Sequence, residues 1–178
     1  MRTKIEKFIN PSIIIGVAVL SRLLPHMPNF TPIGAMALFG GAYLDKRWAI
    51  LLPLTAMFLS DVFIGFYSPI VMVSVYGSFV LTGLIGFWLR KRRNPRNVLF
   101  AALSSSILFF IVTNFAVWAA GSYSRGIDGL LTSYTMALPF FRGTIFGDVF
   151  YTGVFFGSYE FLLKFTKSFR FVLRENKG

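Results

Sequence analysis

Asp61 and Asp148 each interrupt a long apolar stretch, in a chain with only 7 acidic residues among 178. An ionisable group inside such a stretch is costly to bury, and where it occurs it is paired or functional. Arg22 stands near the end of another apolar stretch, Arg142 near the start of the one that holds Asp148, and the two match the two acids in charge. Tyr76 and Asn114 add a phenol and an amide. At 1.5 Å per residue, these side chains fall within roughly 10 Å of one membrane surface. The chemistry open to such a set is reversible capture of a small polar solute. Asn29, in the connection before the second stretch, and Trp118, at the end of the fifth, complete the candidate substrate-binding residues. A second reading stands beside this one: the charges are ion pairs that lock helices together, and Asn114 is interhelical glue. The shared depth favours a pocket.

Other chemistries find no residues. The chain has no cysteine and one histidine, His26, so no zinc set exists. His26 falls in a connection near the expected pocket mouth. There is no G-x-x-x-x-G-K-[ST] phosphate loop and no G-x-S-x-G nucleophile turn. An intramembrane aspartyl enzyme would pair Asp61 with Asp148, but the G-x-G-D run of such proteases reads Ile145-Phe146-Gly147-Asp148 here. The residues therefore point to no catalysis, no metal and no cofactor.

The elements that position these residues are read from hydropathy. A span needs about 20 apolar residues. Six stretches qualify or nearly do: about 10–24, 33–44, 48–66, 70–89, 97–120 and 141–163. The second is short enough to suggest a re-entrant segment. Charge decides for six full spans. Of the 18 cations, all but Arg22, Arg125 and Arg142 then lie on one side, and the positive-inside rule places both termini in the cytoplasm. A re-entrant second segment would put Arg90, Lys91, Arg92, Arg93 and Arg96 outside.

Between spans five and six the longest connection, 121–139, is expected as an outer loop, its 130–138 part lying on the membrane or folding back as a lid. Tyr43, Trp48 and Trp88 fall at inner ends, and Tyr67, Trp118 and Tyr123 at outer ends, as an aromatic belt. Small residues recur four apart, notably Gly143 with Gly147 and Gly153 with Gly157, which predicts a closely packed sixth span. Pro53 is expected to kink the third. The first span is read as retained rather than cleaved, because Arg22 and Leu23 stand where small residues would precede a cleavage site.

Composition sets the class. Hydrophobic residues make up 55% of the chain and charged residues 14%, with 22 phenylalanines. A soluble domain of this size lacks the polar surface to cover that much apolar matter. Disorder needs low hydrophobicity, and a disulfide scaffold needs cysteine. The fold class is an all-α integral membrane protein in one domain, 1–178. The net charge of +11 is read as an orientation signal facing anionic lipid, not as a nucleic-acid surface.

The segment 28–69 resembles the membrane-embedded substrate-binding subunits, or S components, of energy-coupling-factor transporters. It has a proline-bearing outer loop, a short glycine-rich span, a charged turn, and a span ending in an acid and a glycine. The NFTPIGA run at 29–35, the FGGAY run at 39–43 and the PFFR run at 139–142 also resemble a bacterial membrane family described as transport proteins. The resemblance implies six helices with both ends inside and capture of a vitamin-like or other micronutrient from the outer face. It also implies partnership with a coupling membrane subunit and ATPases. S components dock through alanines four apart on the first helix; this chain offers Ser12 and Gly16 there. The expected function is solute capture for uptake across a bacterial inner membrane, with a non-transport membrane scaffold as the alternative.

Overall fold

In the computed structural model, residues 11–24 and 27–175 are described, with side chains for 14–24 and 27–165. His26 and the cations Arg2, Lys4, Lys7 and Lys177 lie outside the described residues. Six helices follow one another: α1 (Pro11–Leu23), α2 (Ile33–Tyr43), α3 (Lys46–Ile64), α4 (Pro69–Leu89), α5 (Pro95–Ala119) and α6 (Ile127–Glu175). Prolines open α4 and α5, where the missing N–H has no intrahelical partner to lose. The Asn94 side chain caps α5 by accepting from the Asn97 amide at 2.8 Å. Gly65, at φ +108°, lets the chain leave α3.

By length and composition, α3, α4 and α5 are long and apolar enough to cross a membrane. The described part of α1, and α2, are shorter apolar helices. The exterior is studded with exposed apolar side chains such as Phe63, Val73 and Phe161.

The centre of the bundle is α2. It packs against α3, α4, α5 and α6, and nine of its 11 residues are buried. A helix apolar on every face fits only where every face is covered. At 1.5 Å per residue α2 is about 16 Å long, roughly half the hydrocarbon thickness. Gly41 of α2 meets Gly86 of α4 backbone to backbone: a Cβ on Gly41 would stand 2.7 Å from the Gly86 Cα. At the end of α4, Arg90 bonds the Gly41 and Leu44 carbonyls at 2.9 and 2.7 Å, which ties the two helix ends together. Phe39 and Tyr43 stack among Phe156 and Tyr159 of α6 near the same end.

The last helix differs from its predicted form. The 121–139 segment is not a loop. The connection is a tight turn using positive φ at Gly121 and Gly126, and α6 begins at Ile127 and continues through Pro139 to Glu175. The reason is packing against α5. Ser133 donates to the Asn114 carbonyl at 2.9 Å and Tyr134 to the Ile111 carbonyl at 2.8 Å. These contacts hold 130–138 against a neighbour, so it is part of the bundle rather than a lid. The Gly143–Gly147 pair does mark a close approach, and what approaches is the 28–31 connection: Pro28 over Gly143, and Phe30 and Thr31 over Gly147.

Candidate functional site

The predicted residues separate into two groups. In the first, Arg22 of α1 reaches α3. Its guanidinium donates to Asp61 Oδ1 at 2.9 Å, to the Met57 carbonyl at 3.3 Å and to the Ser60 hydroxyl. Tyr76 of α4 donates to the other carboxylate oxygen, Asp61 Oδ2, at 2.8 Å. Asp61 and Ser60 are fully buried. Both oxygens of this acid are occupied, and its charge is matched. It lines neither of the two cavities described below.

The second group surrounds a cavity of about 190 Å³. Asp148 of α6 stands in its wall, 8% exposed. Its Oδ2 accepts from Ser106 of α5 at 2.7 Å. Its Oδ1 lies against the backbone of Gly34 in α2, where a Cβ would collide with it. Neither oxygen has a basic partner among the described residues. Arg142, the expected counter-charge, is exposed and lines neither cavity. The reason is helical phase: six residues separate Arg142 from Asp148, about 600° of turn, so the two face well apart around the axis.

Arg22, Asn29, Thr31, Tyr67, Thr82, Ser105 and Thr144 also line the cavity, with an apolar side made by Met57, Val75, Phe79 and Phe109. The Ser105 Oγ is buried with no hydrogen-bond partner. Burial pushes the Tyr67 hydroxyl up to about 12, with the Asp61 charge adding to the rise and Arg22 opposing it. The phenol is therefore a neutral group at physiological pH, able to donate and accept.

A second cavity, also of about 190 Å³, adjoins the first and shares Asn29, Phe109 and Thr144 with it. Asn114 lines this one, with Thr113, Ala137, Phe140 and Phe141. The Asn114 amide donates to the Phe110 carbonyl one turn back at 2.7 Å. Asn29 is exposed, sits at φ +61° and borders both cavities. Asparagine tolerates that left-handed conformation better than most residues. Its place is set by the 28–31 connection lying across the α6 glycines. Trp118 lines neither cavity; it packs on Phe115, and its indole N–H is buried without a partner.

Of the eight candidate residues, then, Arg22, Asn29 and Asp148 share one cavity, and Asn114 borders its neighbour. Asp61 and Tyr76 stand behind Arg22. Trp118 and Arg142 lie apart. Sequence reasoning missed Ser105, Ser106, Thr82 and Thr144. A signal existed for the first two: three consecutive serines, 104–106, in the middle of an otherwise apolar helix.

Comparison with curated proteins gives no match, and comparison with solved structures gives none. The model of a family of unknown function (DUF6580) matches residues 3–170, almost the whole chain, and the protein belongs to that family.

Proposed function

We propose that this protein is a membrane-embedded solute-capture protein that serves uptake, an S-component-like transport subunit of the bacterial inner membrane. The observation that carries this reading is the cavity at Asp148. It joins a buried carboxyl with no basic partner to an unbonded serine hydroxyl and an aromatic wall, beside an exposed connection that carries Asn29. Ligand sites have this character: mostly apolar concavities with a few convergent polar groups.

In this reading the six helices lie in the bilayer with both termini cytoplasmic and the cavity toward the outer face. Support comes from Lys46 and Arg47 at the start of α3 and from the cations of the α4–α5 connection, at the bundle end away from Asn29. Capture alone moves nothing uphill, so uptake calls for a partner. A coupling membrane subunit with ATPases is the partner the resemblance implies. An aspartyl enzyme fits less well, because a catalytic dyad shares one site, whereas Asp61 is enclosed by Arg22 and Tyr76 while Asp148 faces the cavity.

Native mass spectrometry of the full chain, released from gentle detergent, tests the proposal. A co-purifying small molecule that is lost in Asp148→Asn, with the fold intact by circular dichroism, is the expected result. A ligand-free wild-type protein that also binds nothing from a cytosol-free nutrient extract would overturn it.

A further inference from the structure

Two hydroxyls in the wall of the Asp148 cavity have their protons committed within their own helices. Thr82 already gives its hydroxyl proton to the Ser78 carbonyl at 2.9 Å, and Thr144 gives its own to the Phe140 carbonyl at 3.2 Å. What each has left is lone pairs. Ser105 lines the cavity at 3% exposure, and its Oγ has no hydrogen-bond partner. The Oδ1 of Asp148 has no hydrogen-bond donor among the described residues, since Ser106 serves the other oxygen. The one cation in the wall, Arg22, is matched by Asp61 at 2.9 Å, so the pair adds no net charge. About one turn from Thr82 on α4 and from Ser105 on α5, Phe79 and Phe109 pack with ring centroids 5.3 Å apart, a π surface of the kind that attracts cations.

We infer that the cavity selects a small organic cation: an ammonium group held by Asp148 and Ser105, on a compact apolar body lying against Phe79 and Phe109. This rests on the solute-capture reading and names its substrate class. Size agrees with it. A volume of about 190 Å³ has room for one small ring or a short branched chain. An ammonium supplies three donors, one for the free Oδ1 of Asp148 and others for the lone pairs of neighbouring hydroxyls. A carboxylate would meet Asp148 with like charge, and a neutral alcohol would leave that charge unmatched.

The test uses the purified full chain in nanodiscs and three probes of matched shape: 2-phenylethylamine, 2-phenylethanol and phenylacetate. Titration calorimetry should find the amine bound at least about tenfold more tightly than the alcohol, since a charge-assisted hydrogen bond outweighs a neutral one, and phenylacetate bound weakest. Asp148→Asn should remove the preference for the amine. Ser105→Ala breaks no internal hydrogen bond, so it should keep the wild-type melting temperature while amine affinity falls several-fold. That variant keeps the test decisive if Asp148→Asn fails to fold. Equal or stronger binding of the alcohol or of phenylacetate overturns the cation inference and leaves solute capture standing. Failure of all three probes to bind also overturns it, while the co-purification experiment judges solute capture separately.

Discussion

Both oxygens of Asp61 are taken, one by Arg22 and one by the Tyr76 hydroxyl. At Asp148, one oxygen is taken and the other is not. Two acids that look alike in the sequence are thus set to different work: Asp61 joins α1, α3 and α4, while Asp148 is left facing a cavity. Removing a partner from a buried pair leaves an uncompensated charge and destabilises by about 3–5 kcal/mol. Arg22→Met is expected to fall in that range by thermal or denaturant unfolding in detergent micelles. The double variant Arg22→Met/Asp61→Asn should recover a measurable part of the loss, because the orphaned charge is gone. If the double variant is as unstable as the sum of the two single changes, the pair is not coupled.

Helix contacts depend on where glycines face. The α2–α4 crossing brings Gly41 and Gly86 so close that a Cβ on Gly86 would stand 2.8 Å from the Gly41 Cα, and the atoms it would meet are backbone. Backbone does not rotate aside, so Gly41→Ala should cost about 1–3 kcal/mol as overpacking, and a melting curve reads it directly. Gly77 sits in the same α4 with no heavy atom within 4 Å of a built Cβ. Gly77→Ala should be neutral or stabilise by up to about 1 kcal/mol, through helix propensity alone. Equal effects at the two positions would mean that α2 and α4 do not cross there. The α5–α6 seam, by contrast, is held by the side chains of Ser133 and Tyr134, and residues 127–139, most of an expected loop, form more than three helical turns along it.

For the molecule as a whole, the distribution of cations predicts orientation. The chain has no cysteine of its own, so single replacements report cleanly. Lys91→Cys, in the exposed α4–α5 connection, should resist a membrane-impermeant maleimide in intact cells, and Ser122→Cys, in the exposed turn before α6, should react. The reverse pattern would invert the bundle and turn the cavity toward the cytoplasm. Because no phosphate-binding loop is present in the sequence, the purified chain should show no ATP turnover above a denatured control. Sustained hydrolysis by the single chain would place an energy source inside it and remove the need for a coupling partner.

The helices were legible because each is dictated locally. Hydropathy, proline at a helix start and glycine at its end are properties of short segments, so five predicted stretches agree with α1 to α5 to within two residues. The presence of buried acids was legible for the same reason, since Asp61 and Asp148 interrupt apolar runs. Their division of labour was not. Depth along a span constrains one coordinate, and the facing of a side chain depends on helix rotation, which neighbours set. That is why Arg142, placed at nearly the right depth, points away from Asp148, and why Trp118 lies apart from both cavities. Ser105, which borders the cavity, is chemically the same as Ser104 and Ser106 beside it. Only the packing of α2, α5 and α6 decides that Ser106 bonds Asp148, that Ser105 borders the cavity unbonded, and that Gly34 leaves room for the carboxylate between them.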